Sequence, residues 1–192
     1  MPKAASITDP DTDLIPRLQA GDEAALAELM ERRMKTIHAL AARLLGDAVM
    51  AEDVAQTVFL KTWTHIKTWK SGSAKLQTWM CRVATNQCLD ILKRKGPIYT
   101  ENLPDIADSR TSAMDKLRSE DDAARVRMAM NALTPSQRAA ITLCYFEELS
   151  QKEASQVLDI NEKAYESLLS RGRKALRQIL NDTETNSVRE VI

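Results

Sequence analysis

From Asp22 onward the apolar residues recur every three or four positions. Leu26, Leu29, Met30, Met34, Ile37, Leu40, Leu44 and Leu45 form one stripe, the spacing that puts side chains on a single face of an α-helix. Asp22 follows Gly21 and opens the stretch, and Gly46 supplies the stop. Asp47 caps a second helix over about Val49–Ile66, whose inward stripe is Val54, Val58, Thr62 and Ile66. A loop over Lys67–Lys75 contains Ser71-Gly72-Ser73. A third helix is predicted over Leu76–Lys95, with Leu76, Met80, Val83, Ala84, Ile91 and Leu92 facing inward and Gly96-Pro97 ending it. These helices make a bundle of about 80 residues, near the lower size limit for an independent core.

Periodicity is lost between Gly96 and about Asp108, where Pro97, Asn102 and Pro104 punctuate the chain, and it resumes near Thr111–Asn131. Thr134-Pro135-Ser136-Gln137 then combines an N-cap, a proline at the first helical position and a capping-box partner. Ser150-Gln151-Lys152-Glu153 is a second capping box. A short helix to Leu158, a three-residue turn Asp159-Ile160-Asn161 and a last helix over about Glu162–Leu180 follow, with residues 181–192 expected to fray. The fold class predicted is all-α. Two small helical domains, 14–96 and 123–180, are joined by a flexible acidic linker, 97–122, and the second contains a helix-turn-helix.

Composition agrees with helices, since only 5 glycines and 6 prolines occur and aromatics make up 4%. No apolar run approaches the roughly 18–20 residues that span a bilayer, and residues 1–13 are polar. A cytoplasmic protein is expected. Cys81, Cys88 and Cys144 give neither a metal-ligand spacing nor an even disulfide set. Cys81 and Cys88 share a helix face but lie about 10 Å apart, beyond disulfide reach. Buried thiols are the plain reading of all three, a redox or metal sensor the other.

Charge changes the picture more. The net charge is zero, yet basic and acidic groups number five and seven in residues 1–42, nine and four in 43–96, three and seven in 97–122, and ten and nine in 123–192. Lys163–Arg177 alone holds five bases against one acid. Two basic helical regions flanking an acidic connector fit a nucleic-acid partner that whole-chain charge conceals. In the helix pair 151–158 and 162–180, Ala154, Val157, Leu158, Ile160, Tyr165, Leu168 and Leu169 lock the helices together. Lys163, Glu166, Ser167, Ser170, Arg171 and Lys174 then face outward, as a helix entering the major groove requires. The alternative is an αα-hairpin with a solvated charged face.

Three blocks of sequence carry a resemblance to a known family. Asp47–Ile66 has an acidic pair, a glutamine and a following Phe-Leu-x-x-Trp; Leu76–Lys95 follows it at the right separation. Ala132–Leu180 contains Leu133-Thr134-Pro135-x-Gln137-Arg138, Tyr145-Phe146-Glu147-Glu148-Leu149-Ser150 and Leu169-Ser170-Arg171-Gly172-Arg173-Lys174-Ala175-Leu176. Over roughly residues 14–95 and 123–180 the chain resembles the extracytoplasmic-function sigma factors, which direct bacterial RNA polymerase to promoters. The resemblance implies a docking helix against the coiled coil of the polymerase β′ subunit, for which Asp53, Gln56, Thr57 and Lys61 are the candidates. A solvated helix face is the competing reading of those four. It also implies a loop and helix that open and read the −10 element, and a helix-turn-helix domain that reads the −35 element and meets the β flap.

Opening a duplex costs a few kcal/mol per unstacked base, recovered by holding the extruded base in a pocket. Trp69 and Trp79 are candidate pocket walls, with a core role as the alternative, and Lys70, Ser71, Ser73 and Lys75 are candidate hydrogen-bonding groups. Arg82, Asn86 and Lys93 form one stripe; Asn86 has the edge to read a base, and Arg82, Lys93 and Arg94 suit phosphates. The recognition helix departs from the family, whose common Gly-Thr-Val-Lys-Ser-Arg run is here Lys163-Ala164-Tyr165-Glu166-Ser167-Leu168. A base becomes Glu166 and an arginine becomes Leu168, so the −35 sequence does not transfer. The loop Lys67–Lys75 is also slightly longer than in relatives.

Among rival classes, an enzyme is disfavoured because His38 and His65 stand apart from any nucleophile or ligand cluster and no Gly-rich phosphate loop occurs. A dimeric repressor would bring a ligand-binding or phosphoacceptor domain, which residues 14–95 do not resemble. No cofactor and no small-molecule substrate are expected. The resemblance implies an anti-sigma protein clamped between the domains. Residues 97–122 are expected to leave two rigid domains on a mobile tether; the resemblance implies that this connector passes near the polymerase active-site cleft, where Glu101, Asp105 and Asp108 either mimic nucleic acid or serve as spacer.

Overall fold

The computed structural model of the chain describes residues 9–70, 75–95 and 123–189, and every regular element among them is helical. Helix α1 is Ile15–Gln19, α2 Glu23–Leu45, α3 Ala48–His65 (continued by a 3₁₀ turn, Ile66–Thr68) and α4 Leu76–Lys95. A short helix α5 spans 123–131, then come α6 Pro135–Tyr145, α7 Gln151–Leu158 and α8 Glu162–Arg189.

Gly46, Asp47 and both capping boxes act as the sequence reading expects, and Asp22 caps α2 in addition. The Asp22 carboxylate accepts from the Ala24 and Ala25 amides, Asp47 accepts from Met50, and Gly46 ends α2 in the left-handed region at φ 68°. Both capping boxes, Thr134/Gln137 and Ser150/Glu153, are closed in both directions. The last helix is longer than expected, running on to Arg189, because no glycine or proline interrupts 181–189. Helix α1 was not foreseen; Pro16 sits in its first turn, and its apolar Ile15 and Leu18 are buried.

In the first domain α2 packs on α3 and α4, and the stripe Val54, Val58, Thr62 is buried as expected. The N-terminal segment braces this bundle in ways local sequence does not reveal. The Asp9 carboxylate accepts the Leu76 amide at 2.7 Å and so caps α4 from 67 residues away, while Gln19 Nε2 donates to the Trp69 carbonyl at 2.9 Å. Asp11 is fully buried, 2.9 Å from Arg33. In the second domain α8 lies across α6 and α7, and the buried Tyr165 hydroxyl donates to the Ala140 carbonyl at 2.9 Å. Burial raises the Tyr165 phenol above its ordinary range, keeping it a donor.

The two domains do not stand apart. A continuous apolar cluster runs through both, α7 packs against α4, and α6 packs against α2 and α4. The two helical domains are those expected; residues 96–122, which include the expected linker, lie outside the described residues. Charged and polar groups of both domains meet at the contact. Arg138 of α6 donates through Nη1 to the Leu44 carbonyl of α2 at 2.8 Å and through Nη2 to the Asn131 carbonyl. Arg43 lies 3.7 Å from Glu147 and stacks over the Phe146 ring at 4.4 Å. Lys75 pairs with Glu153 at 3.0 Å and Arg82 with Asp159 at 3.2 Å.

Glu147 makes this junction pH-dependent. Burial pushes its carboxyl up to about 7, and the Arg43 guanidinium only partly opposes the shift. A group held above its ordinary value binds its proton more tightly in the folded state. Its contribution is complete below the usual carboxylate range and is lost as pH rises through about 7. Urea unfolding should therefore show stability falling between pH 5.5 and 8, by roughly 2 kcal/mol from this group. Glu147→Gln should remove that part of the slope; an unchanged slope in the variant would assign it elsewhere.

Candidate nucleic-acid interface

Helix α4 carries its polar stripe outward. Arg82, Asn86, Lys93 and Arg94 are all exposed. Asn86 and Arg94 border a shallow hollow with Val83, Gln87, Asp90, Ile91 and, from α3, Lys61. The residues read separately as polymerase-docking and −10-reading thus meet on one surface. Lys93 lies 3.9 Å from Asp90, while Arg82 and Lys75 are held by the acids of the second domain. Lys70 is exposed, and Ser71 and Ser73 lie outside the described residues.

The two candidate wall tryptophans take different places. Trp69 is only 8% exposed and belongs to the core, so it offers no open face to a base in this arrangement. Trp79 is half-buried, with one face stacked on the His65 imidazole at 4.8 Å and 7° and its edge toward Trp69 at 6.2 Å. His65, unassigned by sequence reasoning, is thus the third ring of an aromatic cluster with Trp69 and Trp79.

On α3, Asp53, Gln56 and Lys61 are exposed, and half-buried Thr57 turns its hydroxyl onto the Asp53 carbonyl at 2.9 Å. The same strip of helix carries two apolar residues that the sequence reading passed over, Val49 at 76% and Leu60 at 68% exposure. Positions 49, 53, 56 and 60 follow helical spacing, so an apolar residue stands at each end of a polar patch. Their signal was present: both fall off the inward stripe that Val54, Val58 and Thr62 define.

In the second domain the turn after α7 passes through Asp159 in the left-handed region at φ 56°, and Asn161 caps α8 by accepting the Ala164 amide at 2.8 Å. Ala154, Val157, Tyr165 and Leu169 are buried between the helices. Lys163, Glu166, Ser167, Ser170, Arg171 and Lys174 are all exposed, and Arg171 Nε donates back to the Ser167 carbonyl at 3.3 Å. Gly172 lets α8 approach α6 closely; a Cβ there would sit 3.2 Å from Ile141 Cδ1 and 3.4 Å from the Gln137 carbonyl. Cys81 and Cys88 are buried, burial raising both thiols, Cys88 to about 12, and Cys144 is half-buried.

A bundle with an outward basic helix, joined to a helix-turn-helix whose second helix faces solvent, defines a two-domain helical DNA-binding protein. Comparison with known proteins narrows the class. The families described as Sigma-70 region 2 and Sigma-70, region 4 match residues 29–97 and 123–176. The chain is 30% identical over 179 residues to the ECF RNA polymerase sigma factor SigW of Bacillus subtilis, covering 88% of this chain and 95% of that protein. It is 32% identical over 168 residues to the ECF RNA polymerase sigma factor SigE of Mycolicibacterium smegmatis, covering 83% of this chain but spanning only 64% of that relative's length. Among solved structures, CnrH in complex with the cytosolic domain of CnrY superposes with a TM-score of 0.66 at 26% identity, over 90% of this chain and 97% of that one. RpoE of Bartonella quintana shares the fold with a TM-score of 0.67 at 21% identity, over 81% and 96%.

The chain belongs to the extracytoplasmic-function branch of the sigma-70 family. Its regions 2 and 4 make it a promoter-recognising factor for transcription initiation by RNA polymerase.

The close contact at Gly172 tests how α8 is seated on α6. Gly172→Val should overpack the α6–α8 contact at a cost of about 1–3 kcal/mol. It should weaken binding to −35 DNA more than binding to −10 DNA. Equal melting temperature and equal −35 affinity in gel-shift titrations with holoenzyme would show that the contact does not seat α8.

Proposed function

We propose that α4 reads and helps open the −10 element, that α8 reads the −35 element, and that α3 docks on the β′ coiled coil of core polymerase. The observation that carries this reading is the outward row Arg82, Asn86, Lys93 and Arg94 on one domain, matched by the outward row of α8 on the other. Asn86 offers both a donor and an acceptor to a base edge, and the flanking cations neutralise phosphates. On α8, Lys163, Arg171 and Lys174 hold phosphates, while Ser167, Ser170 and Glu166 are placed to read bases; a carboxylate there accepts from a cytosine amino group. An extruded base is held beside Trp79, with Lys70 and Lys75 as hydrogen-bonding groups and Ser71 and Ser73 as further candidates from the sequence, and the domain bounds are 14–96 and 123–180.

Docking rests on Asp53, Gln56, Thr57 and Lys61, and we include the exposed Val49 and Leu60 beside them. An exposed apolar residue at each end of a polar patch gives a partner something to bury as well as to pair with. CnrH is found with the cytosolic domain of CnrY, and RpoE of Bartonella quintana with the anti-sigma factor NepR. An anti-sigma partner of the same kind is proposed for this chain, as is contact of the second domain with the β flap. Among the described residues no helix is long and apolar enough to cross a membrane. We place the protein in the cytoplasm, acting by binding rather than by catalysis.

A promoter library transcribed with reconstituted holoenzyme tests the assignment. Asn86→Ala should relax preference at the −10 element alone, and the Glu166→Gln/Arg171→Ala pair at the −35 element alone. Each lost specific contact should cost roughly 1–3 kcal/mol. Exchanged or absent effects would move the reading faces elsewhere. Asp53→Ala with Gln56→Ala, and separately Leu60→Ala, should weaken core polymerase binding with little change in melting temperature. A large fall in melting temperature with normal binding per folded molecule would make α3 a structural helix only.

A further inference from the structure

Helix α4 begins unlike α2 or α3. Helices α2, α3, α6, α7 and α8 are each capped by the residue directly before them, Asp22, Asp47, Thr134, Ser150 and Asn161. The residue before α4 is Lys75, whose side chain has no acceptor to offer. The Leu76 amide is taken instead by Asp9 Oδ2 at 2.7 Å, from 67 positions away. Asp9 Oδ1 accepts the Asp11 amide at 3.0 Å, so each carboxylate oxygen holds one backbone N–H. The same N-terminal segment reaches the other flank of the loop, where Gln19 Nε2 donates to the Trp69 carbonyl at 2.9 Å. Between these two contacts the segment is pinned to the bundle. Leu14, Ile15 and Leu18 are buried, and the buried Asp11 pairs with Arg33 of α2 at 2.9 Å.

Neither contact is one that stability demands. Gln19 is exposed, where water serves a carbonyl as well, and a serine or aspartate directly before the helix would cap α4 locally. What the two contacts share is the pair of places where the chain enters and leaves the loop. Trp79 donates its amide to the Lys75 carbonyl at 3.1 Å, so a fixed Leu76 sets the first turn that carries both residues. Trp69, held by Gln19, meets the Trp79 ring edge-on at 6.2 Å. We propose that Asp9 and Gln19 are positioning residues for base capture at the −10 element. They fix Leu76 and Trp69, and through them the Lys75–Trp79 turn. The inference rests on the reading that an extruded base is held beside Trp79. Such a base has lost its stacking and pairing, and groups already held in place lose less ordering entropy when it arrives. Neither Asp9 nor Gln19 touches DNA in this role.

The test uses holoenzyme assembled with the full chain, and a promoter fragment whose non-template strand is unpaired across the −10 element. Each unpaired nucleotide in turn is replaced by an abasic site. With the parent chain one position should stand out, its missing base weakening binding about tenfold, as expected for one stacked base. Asp9→Ala/Gln19→Met should reduce that penalty to below about threefold, while the penalties at other positions and the −35 affinity stay as in the parent. Gln19→Met alone, which removes one exposed donor and leaves the core untouched, should show the same change in smaller degree. A uniform weakening at every position, or an unchanged profile in both variants, overturns the proposal, because a merely structural pair would act on all positions alike. In the free chain, the Leu76 amide has no acceptor within its own helix, and its hydrogen exchange should quicken by about tenfold in Asp9→Ala. Equally slow exchange without Asp9 overturns the proposal too. Trp79→Ala separates the proposal from the reading beneath it. A parent profile with no outstanding position, or a penalty kept whole by Trp79→Ala, overturns the reading and the proposal with it. A penalty lost in Trp79→Ala but whole in Asp9→Ala/Gln19→Met leaves the reading standing and overturns the positioning role.

Discussion

The arrangement turns on a buried guanidinium that has no carboxylate. Arg138 enters the junction of the two domains and meets the Leu44 and Asn131 carbonyls, each within the last turn of its helix, where backbone oxygens have no intrahelical donor. These carbonyls lie at the negative ends of the α2 and α5 dipoles, so one cation satisfies two helix termini at once. Burial lowers the Arg138 pKa, but an arginine stays charged. Its Nε finds no partner. Such a group joins the domains strongly only while both carbonyls are present, and water replaces them readily when the surfaces separate. The junction is directional without being a sealed apolar core.

The charges around Arg138 follow the same logic. At the Arg43–Glu147 pair both pKa values move toward the neutral forms, Glu147 upward and Arg43 downward, each because desolvation exceeds the attraction across 3.7 Å. A buried pair of that kind specifies orientation more than it stabilises. The two outer pairs, Lys75–Glu153 and Arg82–Asp159, are more open to solvent and are screened by salt. Strength thus falls from the centre of the junction to its rim, and the rim holds the groups assigned to DNA. A polyanion approaching from outside meets the weakest links first.

Much of this was legible in the sequence because helices announce themselves locally. The stripes of α2 and α3, the bounds of α4, both capping boxes and the turn after Leu158 each depend on residues within a few positions of one another. The outward rows on α4 and α8 follow from the same periodicity, since what is not inward must be outward. Features that depend on distant residues were not legible. The cap of α4 comes from Asp9, and no window around Leu76 contains it. The burial of Trp69 comes from packing, and the aromatic partner of Trp79 is a histidine fourteen positions earlier. Val49 and Leu60 were readable as strays from the stripe, but strays are common on surfaces, and only neighbouring Asp53 and Gln56 give them meaning. The docking of the domains was hidden for a further reason: charge counted along the chain separates basic from acidic blocks, yet the acids that meet α4 lie inside the second basic region, not in the acidic connector.

That placement bears on how one chain can hold two readers of one DNA. A helix-turn-helix facing a long polyanion gains from positive charge everywhere, so acids on α7 weaken its own attraction to DNA. Glu153 closes a capping box, which a glutamine does equally well, and Asp159 takes a left-handed turn, where asparagine is at least as suitable. Local folding therefore does not demand a negative charge at either position. Each acid instead meets a cation of the first domain, Glu153 pairing with Lys75 and Asp159 with Arg82. In a chain with no net charge, part of the excess basic charge of the first domain is matched by these two acids of the second.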